Sequence, residues 1–443
     1  MFSKEELINV TGAKVLADKG RNCKYNISTD TRTIKNDDIY LGLKGENFDG
    51  ENFIENALGA GAKAYFTTND KVFEPADLVL KVDDTKEAYI KIANYYRKKI
   101  NPVVVGITGS AGKTTTKEMI YSVLNHNFKT HKTFSNHNNE IGFCQTVLSM
   151  PSDSQMLIVE MGMRGLGEIE QISVPLEPDY AVITNCGTAH IGRLGSADNI
   201  AIAKCEIAKG LKPQGVFLSL NQDIIKKHLN FSGEKIFYSI DDVKILKKSC
   251  SYSKFEYKNN IYELNVEGDY NIENSLSAIN IGLKVGMSPE DVALGLKSYH
   301  PIEKRWEVEQ ISGYKFINDS YNANPESMKA SVKTFIELYD SPVVVLGDMG
   351  ELGEDEKMYH RQVGEYLSGF NSNVKYILVG NLAREIGKPL ENKGIEVVYC
   401  KDNTSAACNI VEKIDKSNTI FLKASRSMKF EEILEQIKKM RDI

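Results

Sequence analysis

The chain lacks the marks of secreted, membrane-spanning and zinc-binding proteins. No apolar run approaches the ~20 residues that a membrane-spanning helix needs. The seven cysteines are scattered, odd in number and without a CxxC pair, which favours reduced thiols over a disulfide framework or a zinc site. The opening stretch, MFSKEELINVTG, contains no apolar signal-peptide core. We therefore predict a cytoplasmic protein with no membrane insertion.

An excess of positive charge is missing as well. The 55 lysines and arginines stand against 60 acidic residues, which gives a net charge of −5 at pH 7. This balance argues against general nucleic-acid binding, so no nucleic-acid partner is expected. An anionic substrate would have to be bound by local lysines, arginines and backbone dipoles. The 443 residues exceed the size at which one hydrophobic core keeps growing, which predicts two or three domains.

The most informative stretch that is present is PVVVGITGSAGKTTTK at residues 102–117. Its apolar run is typical of a buried parallel strand, and the glycines and helical pattern that follow would direct backbone N–H groups and a helix N-terminus at an anion. Ile107 stands where the usual GxxxxGK[ST] motif has its first glycine. The alternative is a glycine loop without a ligand, which this order of residue types disfavours. The motif predicts a triphosphate site with candidate residues Gly109, Ser110, Ala111, Gly112, Lys113, Thr114 and Thr115.

The chain divides into three α/β segments. Residues 1–100 mix short strands and helices, whereas residues 101–308 alternate strands such as Met156–Glu160 with helices such as Asn199–Lys209, which implies a parallel sheet with crossover helices. Residues 309–443 contain enough further strands for a doubly wound domain. We predict an α/β fold with three domains: a small N-terminal α/β domain, a central P-loop domain with an ATPase-like parallel sheet, and a C-terminal Rossmann-like domain.

Three ionisable side chains lie near predicted strands or helices of the central segment. Glu160 ends a predicted strand at the edge where open α/β sheets bind ligands, and could ligate Mg²⁺ beside Thr114; a solvent-exposed carboxylate is equally consistent. His190, in TNCGTAHIG, is more often a packed or solvated histidine than a ligand. Lys204 lies on a helix whose Ile202 is predicted to be buried, and such a lysine usually extends to water. If it is buried, its neutral amine is favoured and could react with CO₂ to form a carbamate.

Two asparagine-rich segments add weaker signals. TFSNHNNEIG could be an ordinary turn, and it contains Asn136, Asn138 and Asn139. NDSYNANPESM could be an ordinary cap at a helix start, and it contains Asp319, Asn322 and Asn324 before Pro325.

Taken together, these segments resemble the Mur ligase family, the ATP-dependent amide-forming enzymes of peptidoglycan precursor synthesis, over almost the whole chain. The shared family marks are GITGSAGKTTT, EMG at 160–162, the Lys204 segment, GDYNIENSLSA at 268–278 and Arg305. TFSNHNNEIG, NCGTAHIGRLGS, NDSYNANP and LGDMGELG followed by His360 resemble the member that adds D-alanyl-D-alanine. The resemblance implies ligation of D-alanyl-D-alanine to UDP-N-acetylmuramoyl-tripeptide through an acyl phosphate, by a monomer that uses ATP and two Mg²⁺ ions. The alternatives are another ligase of the superfamily, or a nucleotide-binding protein that binds muropeptide without ligating it.

The resemblance also implies a role for each matching residue. The catalytic set is Lys113, Glu160, His190, Lys204 and Arg305. Thr114 and Glu160 would ligate one Mg²⁺, while His190 and a carbamylated Lys204 would serve the second. Beyond the phosphate loop, ATP would contact Asn271, Asn274, Arg305 and Asp319. The STDTR segment and NFDG at 47–50 would bind the uridine nucleotide. The substrate-contacting set is Ser28, Thr29, Asp30, Thr31, Arg32, Asp49, Gly50, Asn136, Asn138, Asn139, Asn322, Asn324, Ser425 and Arg426.

Four residues depart from the family pattern. Glu51 and Tyr270 replace histidines, Thr31 replaces a serine, and Ala424 replaces a glycine. None of them is a predicted metal ligand or phosphate-binding group. The departures therefore bear on substrate affinity rather than on the type of reaction.

Overall fold

The computed structural model describes residues 1–45, 48–302, 304–370 and 373–441. Its first region consists of helices α1 (Lys4–Thr11), α2 (Ile54–Gly59) and α3 (Thr85–Ile100) and strands β1 (Lys14–Asp18), β2 (Ile27–Ser28), β3 (Ile39–Leu41), β4 (Lys44–Gly45), β5 (Phe48–Asp49), β6 (Ala64–Thr67) and β7 (Leu78–Lys81). Five of the strands form a sheet in the order β1-β7-β6-β3-β2, in which β1 is antiparallel to β7 and the other neighbours are parallel. Strands β4 and β5 form a small hairpin.

The second region is built on a parallel six-stranded sheet. Its strands are β8 (Val103–Thr108), β9 (Thr130–Lys132), β10 (Met156–Glu160), β11 (Tyr180–Ile183), β12 (Val216–Leu220) and β13 (Glu234–Tyr238), in the order β13-β12-β11-β8-β10-β9. The helices that accompany the sheet are α4 (Lys113–Leu124), α5 (Glu140–Leu148), α6 (Glu168–Leu176), α7 (Ile191–Leu194), α8 (Ala197–Cys205), α9 (Ile207–Gly210) and α10 (Asp223–His228). An antiparallel sheet and two helices complete the region: β14 (Lys244–Ser249), β15 (Tyr252–Tyr257), β16 (Asn260–Leu264), α11 (Asp269–Lys284) and α12 (Pro289–Lys297).

The third region has a six-stranded sheet in the order β17-β18-β22-β19-β20-β21. The strands are β17 (Glu307–Ile311), β18 (Tyr314–Asn318), β19 (Pro342–Gly347), β20 (Lys375–Val379), β21 (Val397–Cys400) and β22 (Thr419–Lys423). Strand β17 is antiparallel to β18, and the remaining neighbours are parallel. The helices are α13 (Pro325–Leu338), α14 (Glu356–Leu367), α15 (Arg384–Glu391), α16 (Asn403–Lys413) and α17 (Glu431–Arg441).

Burial of the central strands explains where the site forms. All of β10 and every residue of β8 except Val103 are buried, because helices cover both faces of the sheet. Strands β8, β10 and β11 are parallel neighbours, so their carboxyl ends meet at one edge of the sheet. This arrangement brings the loop after β8, Glu160 and the chain after β11 together.

Helix α3 fastens the first region to the second. The Arg97 side chain is 2% exposed, and its Nη2 donates to Glu177 Oε2 at 2.7 Å, just beyond the end of α6. Lys86 Nζ lies 2.9 Å from Glu140 Oε1 at the start of α5. The two ion pairs therefore join α3 to two different helices of the second region.

The three-domain α/β description is confirmed, with some local differences. The predicted helix Asn199–Lys209 is interrupted at Glu206, where α8 and α9 meet, and Ile202 is 41% exposed rather than buried because it lies on the outer side of α8. The predicted boundary after residue 308 falls inside β17, since that strand pairs with β18. The sheet β14–β16 was not predicted. No helix among the described residues is long and apolar enough to cross a bilayer.

Candidate active site

The loop between β8 and α4 is braced by the chain that follows β11. The N–H groups of Ser110 and Ala111 donate to the backbone oxygen and Oδ1 of Asn185, each at 3.0 Å, and Thr184 Oγ1 donates to the Ala111 carbonyl at 2.5 Å. These two amides therefore do not face a ligand, contrary to the expectation that the whole loop presents N–H groups to an anion. The first N–H groups of α4 remain for that task, because a helix leaves them without internal partners.

Two glycines of this loop have no room for a side chain. A Cβ on Gly109 would lie 1.8 Å from Thr184 Oγ1, and a Cβ on Gly112 would lie 2.6 Å from Asn274 Oδ1. Gly112 also has a φ of +77°, which residues with a Cβ rarely adopt. The loop is therefore packed tightly between β11 and α11, with its open side at the start of α4.

Glu160 is buried in the site and does not have the solvent-exposed position that was the alternative. Its Oε2 accepts from Thr114 Oγ1 at 2.9 Å and its Oε1 accepts from Asn138 Nδ2 at 3.2 Å. The side chain is 3% exposed. The Glu160 carboxylate and the Thr114 hydroxyl are hard oxygen donors at the mouth of the phosphate loop.

A buried ionic cluster supports this carboxylate from behind. Lys117 is 1% exposed, donates to the carbonyl of Thr133 at 2.9 Å and places its Nζ 3.7 Å from Glu160 Oε2. Glu118 lies 3.4 Å from the same ammonium and pairs with Lys132. Lys117 belongs to the phosphate-loop motif but was not among the predicted site residues.

Two lysines of the site, the partly buried Lys113 and the buried Lys204, have lowered pKa values. Burial is the main cause that lowers the pKa of Lys113; Glu160 opposes this shift and Arg305 adds to it. The Lys113 Nζ donates a hydrogen bond to the Gly109 carbonyl at 2.6 Å. Lys204 is 1% exposed, and burial followed by repulsion from Lys113 lowers its pKa to about 7. Lys204 therefore does not extend to water, and the neutral amine that can react with CO₂ is accessible near neutral pH.

His190 contacts the third region. Its Nδ1 lies 2.6 Å from Oε2 of Glu351, which belongs to the GDMGELG segment, and the adjacent imidazole lowers the pKa of that carboxyl. His190 is therefore neither simply packed nor simply solvated. Its backbone has a φ of +67° at the start of α7.

The junction between the second and third regions contributes further polar groups. The Arg305 guanidinium lies 4.0 Å from the ring centre of Tyr321, and its Nε is buried with no hydrogen bond among the described residues. Lys423 Nζ lies 2.6 Å from Asp319 Oδ2 and also donates to the Asn322 carbonyl at 3.3 Å. Lys423 was not among the predicted site residues.

The predicted asparagines differ in their contacts. Asn324 caps α13 and its Nδ2 reaches the Ser110 carbonyl at 3.4 Å, so the third region touches the phosphate loop. Asn139 caps α5 through Gly142, as the turn interpretation allowed. Asn271 donates to the Glu267 carbonyl at 2.7 Å. Asn136 and Asn322 have exposed side chains, and Asn138 and Asn274 have the contacts given above.

The first-region candidates lie around one polar turn and one capped turn. Asp30 binds Arg32 through both carboxylate oxygens, and the Arg32 side chain is 86% exposed. Asp49 caps the Gly50–Phe53 turn by accepting from the Glu51 amide at 3.0 Å. The Glu51 carboxylate accepts hydrogen bonds from residues 67, 68 and 69, so it is already engaged within this region. Asn47 lies outside the described residues.

The last two substrate candidates differ in exposure. Ser425 is 6% exposed, and its hydroxyl lies 3.0 Å from the hydroxyl of Ser427. Arg426 is largely exposed and pairs with Glu431 at 2.7 Å.

The remaining candidates of the first region are the partly buried Thr29 and Thr31 and the buried Ser28, whose hydroxyl donates to the Asp30 carbonyl.

The residues present fit Mg²⁺ and a nucleotide triphosphate. Thr114 and Glu160 supply hard oxygens, Lys113 supplies charge, and the unpaired Arg305 Nε requires an acceptor. Among residues 1–45, 48–302, 304–370 and 373–441, no group of three or more His, Cys, Asp or Glu side chains is close enough to hold a metal. Mg²⁺ is usually held by one or two protein oxygens together with water and phosphate oxygens, and Thr114 and Glu160 could supply two of them.

Comparison with protein families gives three matches along the chain. Residues 25–101 match "Mur ligase family, catalytic domain", residues 107–282 match "Mur ligase middle domain", and residues 304–426 match "Mur ligase, glutamate ligase domain". The matches follow the same order as the three regions of the fold.

Individual proteins are similar over nearly the full length. The UDP-N-acetylmuramoyl-tripeptide–D-alanyl-D-alanine ligase of Bacillus subtilis is 35% identical over 428 residues, which cover 93% of each chain. The ligase of the same name from Escherichia coli is 28% identical and covers 92% of each chain. A crystal structure of MurF from Acinetobacter baumannii superposes with a TM-score of 0.88 at 26% identity, over 99% of each chain.

Proposed function

This chain belongs to the Mur ligase family, and we propose that it is the ATP-dependent ligase that adds D-alanyl-D-alanine to UDP-N-acetylmuramoyl-tripeptide. The observation that carries the proposal is the buried pair of Thr114 and Glu160 at 2.9 Å, behind Lys113 and within a loop that Asn324 of the third region touches. This geometry supports the proposal that a phosphate-binding loop, a magnesium-type donor set and a second substrate-binding region meet at one point.

The reaction joins a carboxylate to an amine, which do not condense usefully in water. An oxygen of the tripeptide carboxylate attacks the γ-phosphorus of ATP, the bond to the β-phosphate oxygen breaks, and an acyl phosphate and ADP form. The dipeptide amine then attacks the acyl carbon, loses a proton, and expels phosphate as the amide forms. Two anions must approach each other in the first step, and Lys113 and Arg305 reduce their repulsion.

We also propose the magnesium ligands. Thr114 and Glu160 would hold one Mg²⁺, and His190 with a carbamylated Lys204 would serve a second. Bound Mg²⁺ supplies charge that shields the phosphoryl oxygens. The lowered pKa of Lys204 supports the carbamate, because only the neutral amine adds to CO₂.

The remaining roles follow the three regions. Asn271, Asn274 and Asp319 are proposed to bind the nucleoside of ATP. The first region would bind the uridine nucleotide through the 28–32 turn with Asp49 and Gly50. The substrates would meet along a set consisting of Asn136, Asn138, Asn139, Asn322, Asn324, Ser425 and Arg426.

We also propose a cytoplasmic monomer. Both ATP and nucleotide-linked precursors are cytoplasmic substrates, and all seven cysteines are free thiols, as a reducing compartment favours. Size-exclusion chromatography with light scattering tests the monomer: a mass near 49.6 kDa is expected, and a multiple of it would contradict this part of the proposal.

A phosphate-release assay tests the function. The protein is supplied with ATP, Mg²⁺ and UDP-N-acetylmuramoyl-tripeptide, and D-alanyl-D-alanine is compared with L-amino acids and D-glutamate as the amine. Release that depends on the dipeptide is expected, whereas dependence on another amine would indicate a different ligase of the superfamily. Absence of release with every amine would indicate a non-ligating binding protein. Lys204→Ala should be nearly inactive and should partly recover in added short carboxylic acids, and lack of recovery would contradict the carbamate alone.

A further inference from the structure

The GDMGELG segment leaves the third region and contacts the second region beside His190. Glu351 Oε2 lies 2.6 Å from His190 Nδ1, and the Glu351 carbonyl accepts from the Gly192 amide at 3.3 Å. One residue of the third region thus binds both the side chain of a proposed metal-site residue and the backbone next to it. The roles assigned above do not use this contact.

The backbones at this contact are packed closely. A Cβ on Gly192 would lie 2.3 Å from the Gly353 nitrogen, and a Cβ on Gly353 would lie 2.6 Å from the Gly192 Cα. Gly353 also has a φ of +71°. The two glycines therefore allow an approach that side chains would prevent, which sets the distance between Glu351 and His190.

Both partners also have unusual backbone conformations. His190 has a φ of +67° and Glu351 a φ of +63°, in the left-handed region that residues with a Cβ rarely adopt. Such conformations persist only where the surroundings enforce them, and they are concentrated at functional sites. Two residues with such conformations, from different regions of the chain, are in direct contact here, which indicates that the contact has a functional role.

The charges around the contact identify what Glu351 does. The other carboxylate oxygen lies 3.9 Å from Arg193, which follows His190 in α7, while Arg164 is a more distant charge. The His190 side chain is only 22% exposed, and Glu351 occupies its Nδ1. The opposite ring nitrogen, Nε2, is therefore left for any ligand of the site.

We propose that Glu351 is a positioning residue that orients the His190 imidazole. Because Glu351 belongs to the third region, the orientation of this proposed magnesium ligand then depends on whether the third region is packed against the second. This inference rests on the proposed function. When the third region moves away, His190 loses its contact with the Glu351 carboxylate and its ring can turn. When the region carrying the amine substrate is seated, the imidazole is fixed with Nε2 available.

Trp306 provides a readout that does not depend on activity. It is the single tryptophan of the chain and is 3% exposed. Its ring centre lies 6.1 Å from that of Tyr270 in the second region and 5.4 Å from that of Phe421 in the third. Separation of the two regions exposes the indole and shifts its emission to longer wavelength. The seating of the third region can therefore be followed in solution without metal or ATP.

The test compares Glu351→Ala with Glu354→Ala, a matched change at an exposed residue of the same loop. We expect Glu351→Ala to shift Trp306 emission to the red and to raise the KM for D-alanyl-D-alanine about fivefold, the effect of losing one half-exposed ion pair. Glu354→Ala should match the wild type in both measurements. Glu351→Gln, which keeps the size and an acceptor oxygen, should be intermediate, and it serves as the test variant if the alanine variant does not fold.

A double-mutant cycle separates positioning from a purely structural role. In a His190→Asn background, Glu351→Ala should shift the emission by much less than it does in the wild type. Equal shifts in both backgrounds, or wild-type emission and KM in the Glu351 variants, would overturn the inference. Failure of the proposed function is a separate result, namely that the wild-type protein itself releases no phosphate when the dipeptide is added.

Discussion

Replacing Lys204 by methionine should stabilise the protein at neutral pH while abolishing ligation. Methionine has a similar length and no charge, so it fills the buried space without the desolvation cost of an ammonium. The side chain is 1% exposed, and burial is the main cause of its lowered pKa. The wild-type protein therefore loses stability in keeping this lysine where a carbamate can form.

The size of the effect follows from the pKa. The unfolded chain has a lysine pKa of 10.5, whereas the folded chain lowers it to about 7. That difference corresponds to a cost of roughly 4 kcal/mol at pH 7, since each pKa unit corresponds to about 1.4 kcal/mol. Between pH 7 and 10.5 the unfolded state binds more protons than the folded state, so the stability of the wild type rises with pH in this window. The advantage of the methionine variant should therefore fall to roughly 2 kcal/mol at pH 9.

Urea unfolding followed by circular dichroism measures this difference. Both proteins are unfolded at pH 7, 8 and 9 in CO₂-free buffer without Mg²⁺, so that no carbamate or metal contributes. The free-energy difference between the two proteins is then plotted against pH. A difference that stays constant over this range would refute the argument, because it would mean that the Lys204 amine titrates at its ordinary pKa in the folded protein.

Three further substitutions test the phosphate loop and its surroundings. Lys113→Ala should lower phosphate release by at least about 100-fold without changing the circular dichroism spectrum, and near-normal release would count against the assignment. Gly112→Ala should cost about 1–3 kcal/mol of stability and weaken calorimetric ADP binding, because its Cβ meets Asn274; wild-type affinity would show that the loop can shift. Asn139→Ala should lose about 1 kcal/mol in thermal unfolding through its helix cap, while the exposed Asn136→Ala should change stability by less than about 0.5 kcal/mol; equal effects would contradict the capping role.

The parallel strands could be predicted from sequence because burial on both faces leaves a continuous apolar run between turn residues. The strand Met156–Glu160 begins and ends where the sequence predicts it. Strand β14 could not be found in this way. All of its residues up to Lys248 are exposed, so its sequence has no apolar period, and only pairing with β15 makes it a strand.

The site divides in the same way between local and distant causes. The phosphate loop and its helix are local, so their residues could be predicted from spacing alone. The contacts of Asn185 with Ala111 and of Lys117 with Thr133 join side chains to backbone groups that the fold brings close. Sequence spacing does not show which distant side chains compete with a ligand for the loop amides. The hydrogen bonds from two loop amides to Asn185 could therefore not be predicted.

The ion pairs that α3 makes with the second region, above all Arg97 with Glu177, bear on how the two substrates of the first reaction step are aligned. In the proposed reaction the carboxylate donor and ATP are held by two regions that these pairs lock together, so their mutual alignment is fixed when the chain folds. Only the delivery of the nucleophile then depends on a hinge. Weakening the α3 ion pairs would let the first and second regions move relative to each other. Hydrolysis of the acyl phosphate by water, before the amine arrives, would be the observable result.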